Sequence, residues 1–159
     1  MVTLSAQLSG TFNSACQAAK IYNEENEKKN IHVFNSLSAA AGEIAVCLKI
    51  IELAEKGLPF EEVVSQVESF IANITSLFVL EDLSVFAKNG RLNHIQALAT
   101  DKLKIKLVMG GTSEGVICKC ATAFSIKQAL TKMVNIIAEK AKVTDASIRT
   151  LVVTHCNCL

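Results

Sequence analysis

Hydrophobic and polar positions change their spacing several times along this chain, and each spacing predicts an element. Val2 and Leu4 open an apolar run, the polar loop 8–11 follows, and small apolar residues at helical spacing begin near Asn13. This order predicts a strand, a hydroxyl-rich turn and a helix. The next predicted elements are a strand at 31–34, a helix from about 39 to 56, a helix opened by Pro59 and a strand at 77–80.

The first half therefore alternates strands with helices. Residues 77–80 (Leu-Phe-Val-Leu) are apolar at every position, which is typical of a strand covered on both faces. Connections that run from strand through helix to strand produce parallel sheets. We therefore expect a parallel-sheet lobe with covering helices, ending in a short helix over 82–89 that Gly90 stops.

The second half has a different pattern. Residues 103–109 alternate as in a half-buried strand, glycines between 110 and 115 predict a turn, and 116–120 predict the returning strand of a hairpin. An amphipathic helix over 126–141 and a last strand at 151–153 follow. The sequence thus predicts an α/β fold, with a parallel-sheet lobe (1–92) followed by a smaller α+β lobe that contains an antiparallel hairpin (93–159). The change of pattern falls near 91–101.

Charge and hydropathy disfavour several classes of partner. The 159 residues include 16 Lys and Arg against 15 Asp and Glu, so the net charge of +1 provides no basic surface for nucleic acid or an anionic membrane. Charged residues interrupt every apolar stretch before the roughly 20 residues that a membrane span needs, and no signal-peptide pattern follows Met1. We expect a cytoplasmic protein without a membrane span.

The cysteines raise the question of a metal. Six cysteines without a secretory signal indicate reduced thiols. Cys118/Cys120 and Cys156/Cys158 form two C-x-C pairs, and four thiolates on two strands could bind zinc. Structural zinc sites more often use wider spacings on turns, so we interpret these four cysteines as small, buried side chains and expect no metal. Cys16 and Cys47 are likewise expected to be small core residues. His155 is expected to be an ordinary, partly buried imidazole.

The turn Ser9-Gly10-Thr11 is the candidate binding site. A strand-to-helix turn of this composition brings backbone N–H groups, two hydroxyls and the positive end of a helix dipole to one place, which suits an anionic head group. The alternative is that the hydroxyls only cap the helix, a role worth about 1 kcal/mol. Because no His or acidic residue accompanies Ser9 at a suitable spacing, we expect no catalytic residue and no enzymatic activity.

These residues also carry a family resemblance. The segment Leu8-Ser9-Gly10-Thr11-Phe12-Asn13-Ser14-Ala15 resembles the LSGTYxSA turn of the DegV proteins, bacterial fatty-acid-binding proteins that serve as the lipid-presenting subunit of fatty acid kinase. Further motifs extend the resemblance in register over nearly the whole chain: Asn35-Ser36 with Gly42, the helix end from Leu83 to Arg91, Leu103 to Lys106, Glu114-Gly115, and Ile126 to Ala129.

The resemblance implies a function. A long-chain fatty acid such as palmitate or stearate would lie in an apolar tunnel between two lobes and be presented to a fatty acid kinase catalytic subunit, without a cofactor. Ser9, Gly10 and Thr11 match the head-group turn, Arg91 matches the arginine of a glycine-glycine-arginine motif, and Ser36 matches the pocket loop. The alternatives for the last two are a cation at a helix end and an N-cap.

Departures from the family pattern lead to a second hypothesis. Compared with a full DegV protein, the chain lacks the first strand with its hydroxyl-bearing loop, and a C-terminal histidine loop. Asn35 also stands where aspartate is usual, and Asn89 where glycine is usual. The alternative function is therefore a structural remnant that folds by forming a homo-oligomer and binds no lipid, since exposed sheet edges favour association.

Overall fold

The computed structural model describes residues 1–26, 30–82, 88, 90, 105–142 and 150–156. In chain order its elements are β1 (Val2–Thr3), α1 (Thr11–Glu25), β2 (Phe34–Asn35), α2 (Ala41–Glu55), α3 (Phe60–Ala72), β3 (Leu77–Val79), β4 (Lys106–Gly111), β5 (Ile117–Ala123) and α4 (Ile126–Lys142). As far as these residues are described, they form two compact units. Unit 1 comprises Met1–Thr75, Ser113–Val116 and Val152–Leu159; unit 2 comprises Ser76–Thr112 and Ile117–Leu151.

Unit 1 is built on a parallel strand pair. In β1 and β2, Val2 pairs with Phe34 and Thr3 pairs with Asn35. One apolar face of α2 and one of α3 pack against this pair, because helical spacing brings residues three or four positions apart to the same face. The buried core consists of Phe34, Val46, Leu53, Val67 and Ile71.

Helix starts differ from the predicted ones by small amounts with clear causes. Helix α1 begins at Thr11 rather than Asn13, because Gly10 already has near-helical angles (φ −70°, ψ −3°). Helix α2 begins at Ala41, because Ala40 has a φ of 48° and interrupts the helix before it. Ala40, rather than Ser36, is therefore the N-cap residue, and its N–H donates to the Glu43 carboxylate at 3.0 Å.

Unit 2 is an antiparallel sheet in the order β3-β4-β5, covered by α4. Our placement of residues 77–80 in the parallel sheet of the first lobe is wrong, since β3 pairs antiparallel with β4. An all-apolar strand indicates burial on both faces but does not identify its neighbour. The predicted α/β fold class, with a parallel sheet and an antiparallel hairpin, is confirmed.

Other predictions fall outside the described residues or fail. Most of the helix predicted over 82–89 and the boundary near 91–101 are outside them, so the division into 1–92 and 93–159 stays a prediction. The strand predicted at 151–153 is wrong: these residues pair with no strand in the described chain, and Leu151 and Val153 are 72% and 74% exposed. Among the helices that the structure describes, none is both long and apolar enough to cross a bilayer.

Candidate functional site

The loop after β1 brings two hydroxyls together at the start of α1. Ser9 Oγ and Thr11 Oγ1 lie 2.6 Å apart, and the Thr11 N–H donates to Ser9 Oγ at 3.2 Å. Each hydroxyl carries one proton, so their mutual hydrogen bond uses one and leaves the other to donate outward. Thr11 is exposed and Ser9 is half-buried. The turn can therefore offer a hydroxyl donor to an acceptor in solution.

The electrostatics of this turn favour an anion. The first N–H groups of a helix have no intrahelical acceptor, and the helix dipole is positive at this end. Gly10 is the N-cap residue and supplies no side chain, and the first turn of α1 holds no acidic residue. Ser9 does accept the Thr11 N–H, so capping explains part of its position, and no carboxylate within the first turn of α1 neutralises the dipole.

A set of buried hydroxyls lies at the carboxyl ends of β1 and β2. We call it the buried hydroxyl layer; it consists of Thr3, Ser5, Ser36 and Ser38. Thr3 Oγ1 donates to the Phe34 carbonyl at 3.2 Å, and Ser36 Oγ donates to the Ser38 carbonyl at 3.2 Å. Buried hydroxyls need such partners, because an unsatisfied one costs about 1–3 kcal/mol. The layer therefore fixes the loops that follow both strands.

Ser5 connects this layer to the candidate turn. Its carbonyl accepts the N–H groups of Leu8 and Ser9 at 2.9 and 3.1 Å, which shapes the loop. Its hydroxyl donates to the Gly115 carbonyl at 2.8 Å, within the same unit. Gly115 has a φ of 78°, and a Cβ there would overlap Ser5 Oγ and lie 3.0 Å from the Leu37 Cα. Only glycine fits this position without strain.

Asn35 joins the loop after β1 to the loop after β2. Its Oδ1 accepts the N–H groups of Ala6 at 3.1 Å and Leu37 at 3.2 Å. Leu37 and Ala40 have φ values of 51° and 48°, which non-glycine residues adopt at a free-energy cost. We did not predict this role for Asn35, although an Asn at a strand end, where its side chain can bond nearby backbone, is the signal that could have indicated it.

The structure describes some of the predicted site residues and not others. Ser9, Gly10 and Thr11 form one turn, as described above, and their role in ligand binding stays a prediction. Ser36 is fully buried, and its hydroxyl bonds to the backbone of Ser38; its assignment to a pocket loop stays a prediction. Arg91 lies outside the described residues.

The predicted cysteine environments are partly wrong. Cys47, Cys120 and Cys156 are exposed rather than buried, and His155 is exposed as well. Cys158 lies outside the described residues. Within the part of the chain that the structure describes, no three His, Cys, Asp or Glu side chains are grouped as metal ligands.

The fold and the turn together define an α/β protein with an anion-suited turn between its first strand and first helix. The sequence model described as "Uncharacterised protein, DegV family" matches residues 1–159, and the chain belongs to the DegV family. A DegV domain-containing protein from Streptococcus gordonii is 34% identical over 130 residues, covering 82% of this chain and 46% of the relative.

Two solved structures show the same fold. A DegV-family protein from Ruminococcus gnavus, refined with vaccenic acid, has 46% identity and a TM-score of 0.83 and covers 91% of this chain and 50% of its own. The fatty acid kinase (Fak) B3 protein of Streptococcus pneumoniae, loaded with linoleic acid, has 31% identity and a TM-score of 0.79. This match covers 87% of our chain and 50% of the Fak B3 chain. The chain thus spans about half the length of these relatives.

Proposed function

We propose that this chain binds a long-chain fatty acid noncovalently, with the carboxylate at the Ser9-Gly10-Thr11 turn. The observation that carries the proposal is the pair of hydroxyls 2.6 Å apart at a helix N-terminus without an acidic residue in its first turn. An ionised carboxylate only accepts hydrogen bonds, and this turn offers hydroxyl and backbone donors. Arg91, which lies outside the described residues, is proposed as the cation of the same site.

The ligands of the relatives support the same chemistry. The Ruminococcus gnavus protein was refined with vaccenic acid and the Streptococcus pneumoniae protein was loaded with linoleic acid, which are both long-chain fatty acids. The Fak B3 resemblance also supports presentation of the lipid to a fatty acid kinase catalytic subunit. The proposal places this step in the cytoplasm. In the described residues, the side-chain partner of Ser9 is Thr11 rather than a base, which favours binding over catalysis.

The acyl chain supplies most of the affinity in this proposal. Burial of each methylene contributes about 0.8 kcal/mol, so an apolar tunnel makes affinity depend on chain length. Shortening palmitate to myristate removes two methylenes, and we expect binding to weaken by about 1.6 kcal/mol, or more than tenfold. The turn fixes the orientation of the ligand.

The test is a titration of delipidated protein with palmitate. Ser9→Ala combined with Thr11→Ala removes both hydroxyls, and the loss of even one hydrogen bond to a charged group is worth about 1.5–3 kcal/mol, so Kd should rise about tenfold or more. Ser65→Ala combined with Ser69→Ala removes two exposed hydroxyls from α3 and serves as the matched control. An unchanged Kd in the first variant would exclude these hydroxyls from the site.

A second ligand separates the head group from the tail. Hexadecanol keeps the acyl length of palmitate but has no carboxylate. We expect the wild type to prefer palmitate and the variant lacking both hydroxyls to lose most of that preference. If both proteins bind hexadecanol and palmitate equally, the chain binds apolar tails without recognising the carboxylate.

The alternative, a remnant that associates with further copies and binds no lipid, is favoured by one observation. Helix α2 exposes Ile44, Leu48 and Ile51, which lie on one helix face and are 44%, 50% and 52% accessible. Native mass spectra with lipid extraction distinguish the two functions. A fatty acid adduct of the protein supports the binding function, and a bare oligomer supports the alternative.

A further inference from the structure

The C-x-C pair of β5 has no role in the proposed fatty acid site. In the ladder with β4, Met109 pairs with Lys119 and Val108 pairs with Ala121, which leaves Cys120 as the extra residue of a β-bulge. In a regular strand, the Cα atoms of residues two apart are separated by about 6.7 Å. A disulfide spans Cα separations of about 4.4–6.8 Å, and a bulge bends the strand locally. The backbone is therefore compatible with a bond between Cys118 and Cys120.

The two thiols share one small space beside Gly110. Cys118 and Cys120 are two residues apart on β5, and the Cys118 thiol lies close enough to that of Cys120 to affect its pKa. Gly110 pairs with Cys118 across the ladder, and a Cβ on Gly110 would lie 2.9 Å from Cys120 Sγ. The absence of a side chain at this glycine leaves the room that Cys120 Sγ occupies. Cys120 is exposed and Cys118 is half-buried, so a small reagent can reach the pair.

Burial and neighbouring groups change the pKa of the Cys120 thiol. Burial, followed by the neighbouring Cys118, raises the pKa of the Cys120 thiol, whereas the Lys140 ammonium acts in the opposite direction. Cys120 therefore keeps its proton at neutral pH. Lys140 places a positive charge near Cys120, and such a charge favours ionisation of that thiol when it has to act as a nucleophile.

We propose that Cys118 and Cys120 form a dithiol modification site that reacts with low-molecular-weight disulfides of the glutathione type and closes into a Cys118–Cys120 disulfide. The Cys118 thiolate attacks one sulfur of the external disulfide, which breaks the external S–S bond and releases one thiolate. Cys120 then loses its proton and attacks the Cys118 sulfur, releasing the second external thiol. Two protein thiols are oxidised and one external disulfide is reduced to two thiols.

The sequence between the cysteines provides a direct assay. The protein is equilibrated in buffers of increasing oxidised-to-reduced glutathione ratio, quenched with acid, alkylated and digested with trypsin. Trypsin cleaves after Lys119, so the reduced protein yields separate peptides that end at Lys119 and begin at Cys120. In the disulfide form these two peptides stay joined. We expect the joined peptide to increase with the oxidised fraction and to disappear after reduction.

Single variants identify the roles of the two thiols. Cys120→Ser cannot form the second bond, so we expect Cys118 to accumulate a mixed disulfide with glutathione. Cys118→Ser should react more slowly, because Cys120 keeps its proton. Cys47→Ser removes an exposed thiol of unit 1 and should leave the joined peptide unchanged. The proposal is overturned if wild-type protein carries glutathione on both cysteines without the joined peptide, or if Cys120 joins a different cysteine.

Discussion

Replacing Gly115 with alanine tests the contact between Ser5 of the buried hydroxyl layer and the loop that contains Gly115. Gly115 has a φ of 78°, and a Cβ there would overlap Ser5 Oγ and approach the Leu37 Cα to 3.0 Å. Ser5 is fully buried and donates its hydroxyl to the Gly115 carbonyl, so it cannot move without losing that bond. The substitution therefore adds two separate penalties, one from the backbone and one from the contact.

Each penalty has a magnitude. A left-handed conformation costs a residue with a Cβ about 1–2 kcal/mol, and a buried hydroxyl and carbonyl that lose their partner cost about 1–3 kcal/mol. We expect Gly115→Ala to lower the free energy of unfolding by about 2–5 kcal/mol. Gly57 provides a matched control, because its φ is 72° and nothing lies within 4 Å of a Cβ placed there. Gly57→Ala should therefore show the backbone penalty alone, about 1–2 kcal/mol.

The assay is urea unfolding of both variants followed by far-UV circular dichroism, since the chain contains no tryptophan. Both glycines belong to unit 1, so the same transition reports on both. Any gain from a less flexible unfolded chain is common to the two substitutions and cancels in their difference. Combining Gly115→Ala with Ser5→Ala should make the glycine substitution less destabilising, because the overlapping oxygen is gone. Equal destabilisation by Gly115→Ala and Gly57→Ala would refute the reasoning.

Three further predictions address the linking side chain, the core and a surface ion pair. Asn35→Ala removes the acceptor of two backbone N–H groups and should lower the free energy of unfolding by about 1–3 kcal/mol, whereas Asn35→Asp keeps the acceptor and should be nearly neutral; equal losses in urea unfolding would contradict the role of Oδ1. Leu53→Ala empties part of the unit 1 core and should cost about 2–5 kcal/mol, against about 0.5 kcal/mol for the exposed control Ile51→Ala on the same helix. The Lys56 and Lys49 ammonium groups hold the pKa of Glu52 below its usual value of 4.5, so its contribution to stability is present above pH 4.5 and is lost as pH falls through the lowered pKa. Thermal unfolding of wild type and Glu52→Gln should therefore differ near neutral pH and converge in acid, and a difference that persists in acid would exclude the charge as its cause.

Local patterns predicted the helices well. The helix predicted after Pro59 is α3, in which Val63, Val67 and Ile71 recur at helical spacing, and Val67 and Ile71 are buried in the unit 1 core. Helical spacing reports a face directly, because neighbouring turns share it. The partner of β3 could not be predicted in the same way, since strand pairing joins residues far apart in sequence and an all-apolar strand suits either sheet.

The candidate turn could be predicted from local sequence, whereas the bonds of the buried hydroxyl layer could not. Ser9 and Thr11 are two residues apart, so the sequence was sufficient to predict that their hydroxyls meet. The supporting bonds are non-local: the hydroxyls of Thr3 and Ser5 bond to carbonyls 31 and 110 residues away. A serine after an apolar strand gives no indication of a partner at that distance. The left-handed Leu37 and Ala40 were equally hidden, because no glycine marks those positions.

The buried hydroxyl layer also affects how this family can diverge. Thr3, Ser5 and Ser36 all donate to backbone carbonyls, those of Phe34, Gly115 and Ser38. Every residue type carries a backbone carbonyl, so as far as these bonds are concerned a substitution at the acceptor position requires no matching change at the donor. Correlated substitutions between aligned sequences would therefore show little of these hydrogen bonds, although they hold the two loops in place. The donor positions should be restricted to residues that carry a small hydroxyl, whereas Gly115 is restricted for a separate reason, the overlap of a Cβ with Ser5 Oγ.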